Sequence, residues 1–306
     1  MSKRATARPL FLMPRASAFI LAIVACGQTC QSAFAKSDDP VVLARNGHWN
    51  VNYDQDSCSL LASFGSGRDE AVLAFSRFEP GNFVKLMIVG DAFSPRVQTG
   101  QLTIDFGPAR NPHRVVTTNG WFGDKRFAMV AQPLRFDDRE IAESPVPVPS
   151  PPLTIEAETA VETLDVGAPG KTYRFMLGPM GRTMAAMRQC TDTLVKSWGL
   201  DPAIQATRRL PPVAIGNPTR WITSSDYPDT ALLRGRGSVI QFRLMVDETG
   251  KVTGCHLQRA TAETEFQRIT CERITARARF RPALDAAGRP VASYFVSSVR
   301  FIVGPM

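Results

Sequence analysis

The sequence predicts an α+β protein: a β-rich N-terminal domain with one packed helix, followed by a small β-β-α-β domain. Three observations carry this expectation. Residues 46–135 break into short apolar or alternating runs separated by turns rich in Gly, Asp, Asn and Pro. Residues 178–202 switch to apolar residues at three- and four-residue spacing. From 237 onward the pattern reads strand, turn, strand, helix, strand.

The first 35 residues read as a secretory signal peptide. Lys3, Arg4, Arg8 and Arg15 form a basic start, "ASAFILAIVACG" (16–27) a short apolar run, and "AFA" (33–35) a small-residue cleavage site. The run falls short of the roughly 20 residues that span a bilayer. Export to the periplasm is therefore expected, with membrane contact only if this segment is retained as an inner-membrane anchor. A third reading is lipidation at Cys26, since "IVAC" (23–26) fits a lipoprotein pattern. Cleavage after Ala35 leaves Cys58, Cys190, Cys255 and Cys271, an even set suited to disulfides in an oxidising compartment, which favours the signal peptide. The formal charge of +8 loses four positive charges with the leader and no acidic residue, so no nucleic-acid partner is expected.

Residues 36–200 form the expected β-rich domain, of no family legible in the sequence. Its strands are "HWNVNYD", "SCSLLASF", "AVLAFSRF", "FVKLMIVG", "GQLTIDFG", "HRVVTTN" and "RFAMVAQPLRF", which read as an antiparallel sheet or small sandwich. "SPVPVPSPPL" (144–153) is an extended, proline-rich stretch. In the helix that follows, Met184, Met187, Cys190, Leu194 and Trp198 share one face, with Gly199 as a stop and Pro202 beyond it. A Cys58–Cys190 bond would tie this helix to the early strands. Residues 201–220, rich in proline and without period, read as a linker to a domain at 221–306.

In that last domain "GSVIQFRLMVDETGKVTGCHLQRA" is a hairpin, "ETEFQRITCERITARARF" a helix, and "VASYFVSSVRFIV" a long last strand. "DYPDTALLRGRGSVIQFRLMVDETGKV" and "RFRPALDAAGRPVASYFVSSVRF" together resemble the TonB C-terminal domain family. Tyr227-Pro228, Ala231, Gly235, Gly237, Val239, Asp247, Gly250, Val252, Phe280, Pro282, Ala283, Gly288, Pro290, Val291 and Phe301 carry the resemblance. It implies a protein-binding role: an extended segment of an outer-membrane receptor or other envelope partner adds to the exposed edge of the sheet at the last strand. Here that edge is Ser293, Tyr294, Phe295, Val296, Ser297, Ser298, Val299 and Arg300. The alternative is a membrane-anchored energy transducer of the TonB type, serving transport through outer-membrane receptors. The chain departs from that pattern: a folded domain stands in place of a long spacer, and "TSSD" (223–226) replaces the Gln-Pro that often precedes Tyr-Pro.

Within this fold Cys255, on the second strand, and Cys271, on the helix, would face each other and form a structural clamp. A zinc site would need about four ligands and only His256 is near, so no metal is expected. No cofactor motif is present, because "GAPGKT" (167–172) has Asp165 where a phosphate loop needs its first glycine. His48, His113 and His256 are scattered without a nucleophile, and no enzyme is expected. Arg268, Arg273, Arg277, Arg279 and Arg281 read as a solvated helix face.

Overall fold

The computed structural model describes residues 39–90, 101–107, 112–122, 125–130, 132–137, 153–168, 170–260 and 264–302. The signal segment 1–35, Cys26 and the proline-rich residues 144–152 lie outside the described residues.

The N-terminal strands close on themselves. They are β1 (Val41–Tyr53), β2 (Cys58–Phe64), β3 (Ala71–Arg77), β4 (Lys85–Val89), β5 (Gln101–Asp105), β6 (His113–Phe122) and β7 (Lys125–Val130). After a short α1 (Ile155–Thr159) come β8 (Thr163–Ala168) and β9 (Lys171–Met176). The strand order is β1-β2-β3-β4-β7-β6-β5-β8-β9, and β9 pairs in parallel with β1, Val41 opposite Tyr173, to complete a barrel. The antiparallel sheet or small sandwich expected from the sequence is thus corrected to a closed nine-stranded barrel. The β8–β9 hairpin, absent from that expectation, supplies the closing strands, with Gly167 opposite Thr172 and Ala168 opposite Lys171.

Period-2 alternation explains the barrel interior. Leu60, Phe64, Leu73, Phe75, Leu86, Ile88, Leu102, Ile104, Leu164, Val166, Tyr173 and Phe175 are all buried in one cluster. Phe75 stands at the centre, its ring 5.7 Å from Trp49 and 5.4 Å from Phe136. The inside is therefore a packed aromatic core. Helix α2 (Gly181–Ser197) lies on the barrel with Met184, Met187, Cys190 and Leu194 buried, and the Cys58–Cys190 disulfide fixes it to the start of β2.

Residues 201–220, expected as a linker, carry structure of their own. They contain α3 (Pro202–Thr207), capped by the Asp201 side chain, and β10 (Val213–Ala214). The C-terminal module then comprises α4 (Asp229–Leu233), β11 (Ser238–Val246), β12 (Val252–Ala260), α5 (Thr264–Arg277), short strands β13 (Phe280–Arg281), β14 (Ala283–Leu284) and β15 (Pro290–Val291), and β16 (Ser293–Phe301). β10 pairs with β13, and the Arg209 and Leu210 amides donate to the Leu284 carbonyl. These backbone bonds sew 201–220 onto the module, and residues 38–306 form one compact unit.

The module is a three-stranded antiparallel sheet, β12-β11-β16, with α5 across one face. Phe242, Leu244, Val246, Ile274, Ala278 and Phe280 pack with Trp221 between them. Gly250 closes the β11–β12 turn at φ +86°, and a Cβ there would fall 1.9 Å from the Phe280 carbonyl oxygen, so only glycine fits. The Cys255–Cys271 disulfide joins β12 to α5. Asp226, 4 % exposed at its side chain, receives Arg277 at 2.5 and 3.0 Å and Arg273 at 3.2 Å. Two of the helix arginines read as solvated thus anchor the segment before Tyr227. Tyr227 itself packs on Phe266 and Phe301 and donates its hydroxyl to the Arg236 carbonyl.

Candidate functional site: the outer strand of the C-terminal sheet

β16 pairs with β11 over its whole length, from Ser238 opposite Phe301 to Val246 opposite Ser293, and among the described residues no further strand lies beyond it in the sheet. Its side chains alternate between two environments. Phe295 and Val299 pack into the α5-side core, with the Phe295 ring 5.0 Å from Phe280 and 5.7 Å from Trp221. Tyr294, Val296, Ser298 and Arg300 share the other face with their partners Met245, Arg243, Gln241 and Val239.

That second face is turned toward the barrel. The Arg243 guanidinium, 5 % exposed, donates to Asp56 at 3.0 Å and stacks 4.1 Å from the Trp198 ring. Gln258 donates to the Phe78 carbonyl at 2.7 Å and to the Asp56 carbonyl at 3.2 Å. Burial holds Arg243 below the usual guanidinium range, with Asp56 opposing the shift. A cleft of about 410 Å³ lies here, between the turn at Tyr53–Asp56, the end of α2 and the sheet. His256 lines it, lowered in pKa by burial and then by Arg243.

The eight residues expected to form the binding edge are not equivalent. Ser293 is buried, its hydroxyl donating to Gln205 of α3 at 2.7 Å. Tyr294 is 2 % exposed, its ring 5.0 Å from Trp198 with the Arg208 guanidinium 4.7 Å above it. Burial pushes the Tyr294 phenol up to about 12. α3 and the end of α2 therefore cover the first two positions, while residues 295–300 are half-buried or exposed. Along that stretch the β3–β4 connection faces the strand across a second cleft of about 270 Å³.

Sequence reasoning missed Asp56, Trp198, Arg243 and Gln258 as the residues that hold the barrel to the module. A signal was present: β11 and β16 carry Met245, Tyr294 and Val296 on the face opposite the core. Apolar residues on both faces of a strand mean that both faces are covered.

Helix on one face and barrel on the other define the module as a small α+β domain whose sheet ends in two outer strands, β12 and β16. Residues 223–303 match the family described as Gram-negative bacterial TonB protein C-terminal. This part of the chain is therefore a TonB C-terminal domain. The match covers the module and stops short of the barrel. No curated protein matches the chain. Among the described residues no group of three or more His, Cys, Asp or Glu is arranged to hold a metal ion, and no helix is long and apolar enough to cross a membrane.

Proposed function

We propose that this protein is exported to the periplasm and that its TonB-type module takes an extended segment of an envelope protein, such as an outer-membrane receptor, onto the outer edge of β16. The role is binding, not catalysis. The observation that carries the reading is the position of β16: it ends the sheet, its two faces are held by α5 and the barrel, and residues 295–300 are the part of it left accessible. Main-chain N–H and C=O groups along such an edge supply affinity, and the alternating side chains supply selectivity.

A photo-crosslinking residue at Ser298, incorporated in cells with an intact envelope, tests this. An adduct at Ser298 that is absent from the exposed barrel position Val116 is expected. Equal adducts at both positions, or none at Ser298, would end the strand-addition reading. Proline at Val296 or at Ser297 refines it, because successive amides on a strand point to opposite edges. One of the two should lose the adduct with the fold intact, while the other disturbs pairing with β11. Tyr294 is unsuitable for such a test because it lies in the interface with Trp198.

The alternative, an energy transducer anchored by residues 16–35, shares the same module. The intact mass of the protein from its native envelope separates the two readings. A chain beginning at Lys36 supports the exported form, and a chain retaining residues 1–35 supports the anchored one.

A further inference from the structure

The cleft beside β16 has two unlike walls. One is the β3–β4 connection of the barrel, with Arg77, Glu79, Phe83 and Lys85; the other is Gln241 of β11 with Val296, Ser297 and Ser298 of β16. The position of Ser297 is informative. Its side chain belongs to the α5 side, so it lines the cleft through its main chain. The cleft thus covers the barrel-side face at Val296 and Ser298 and reaches the main chain of the outer strand at Ser297. At about 270 Å³ it falls below the 300–1,000 Å³ usual for small-molecule pockets, and suits a few residues of an extended chain.

The walls are cationic. Arg77 and Lys85 belong to the lining, Glu79 is its sole carboxylate among the described residues, and Arg300 follows two residues after Ser298 on the same face of β16. Burial, and then repulsion from Arg300, lowers the Lys85 ammonium, which sets a barrel cation against a strand cation. Burial pushes Glu79 up to about 7, so at neutral pH it carries only part of its charge. Arg77 is 3 % exposed and donates to the Phe83 carbonyl at 3.2 Å, which fixes the cation in the wall.

We infer that the barrel loop and β16 form a basic slot that admits an extended partner segment and selects one bearing carboxylate side chains. The inference rests on the strand-addition reading and adds two statements to it: the barrel is part of the binding site, and the partner segment is acidic. A basic segment entering the slot would be repelled by Lys85 and Arg300, and a neutral one would gain nothing from them, whereas a carboxylate would lie between the two cations.

The test uses the whole protein and four fluorescent nine-residue peptides, read by anisotropy at low salt. Three alternate Thr and Val and carry Glu, Gln or Lys at two central positions; the fourth has the Glu composition with a central proline that prevents strand pairing. The Glu peptide is expected to bind at least tenfold more tightly than the other three and to weaken as NaCl is raised. Lys85→Gln should reduce that preference several-fold and Lys85→Glu should abolish it, with far-UV circular dichroism unchanged; Arg300→Glu provides the same reading from the strand side. Equal binding of the Glu, Gln and Lys peptides overturns the acidic slot and leaves strand addition standing. Equal binding of the proline-broken peptide reduces the effect to surface charge and also overturns it, as does a preference that survives both Lys85 variants and Arg300→Glu. Binding by none of the four overturns both readings.

Discussion

The barrel and the C-terminal module solve the problem of sheet edges in opposite ways. The barrel pairs β1 with β9, leaves no outer strand, and fills its interior with rings from Trp49, Phe64, Phe75, Phe106, Phe136 and Phe175. The module stops at three strands, with a smaller core split into two clusters. An unpaired strand edge is a hazard unless it is protected or used. In this chain the edge is narrowed from two sides: α3 covers Ser293 and Tyr294, and the β3–β4 loop stands over 296–298. The closed region thus serves as the rigid support, and the open region keeps a short accessible stretch.

The sharpest way to break this comparison is to unpin each region separately. Removing the Cys58–Cys190 bond, with a sequence separation of 132, frees far more chain than removing Cys255–Cys271, with a separation of 16. Loop-closure entropy predicts losses of about 5 and about 3 kcal/mol respectively. Paired Cys→Ala variants followed by thermal denaturation should show the larger drop in Tm for the barrel bond. The smaller loss matters more to its own region, since a module with so small a core has little stability to spare. A larger drop for the module bond would mean that the barrel core already constrains the unfolded chain around Cys58.

Next in size is the seam between the regions. Arg243→Ala removes the ion pair to Asp56 and the stacking on Trp198, and leaves Asp56 partly buried without its cation. A cost of about 3 kcal/mol is expected, at the low end for breaking a buried pair because Asp56 is 22 % exposed. Calorimetry distinguishes the outcomes. If the seam couples the regions, the wild type should unfold in one transition and Arg243→Ala in two. A uniform shift of one transition would instead make the seam a local contact, with 201–220 providing the coupling.

Much of the module was legible in the sequence because its order is local. β11, its turn, β12 and α5 follow one another, and "DETG" and the period-2 run at 238–246 specify a hairpin directly. The alternation along β16 was legible for the same reason. Barrel closure was not, because it depends on β1 meeting β9 across more than a hundred residues, and a parallel pair leaves no turn between its strands. The segment 201–220 misled because prolines and the absence of a period describe a linker and a chain laid on a domain surface equally well. The slot residues Arg77, Glu79 and Lys85 carry no signal of their own. Charged residues at the end of a hairpin are ordinarily solvated, and only the approach of β16 gives them a common purpose.

The smallest effect tests the slot from its acidic member. Burial raises Glu79 from 4.5 to about 7 in the folded protein, with Arg208 opposing the shift. Between those values the folded state holds more proton than the unfolded chain. Stability contributed by protonated Glu79 is therefore complete below about pH 4.5 and is lost as pH rises through 7. The loss should be about 2 kcal/mol, because solvent still reaches part of the side chain. Urea denaturation of wild type and Glu79→Gln between pH 5 and 8 measures it. The variant has no titratable group at this position, so it should lack this slope and be the more stable form at pH 8. Equal slopes in the two proteins would mean that Glu79 ionises as an ordinary surface carboxylate, and its full negative charge would then offset one of the cations of the slot.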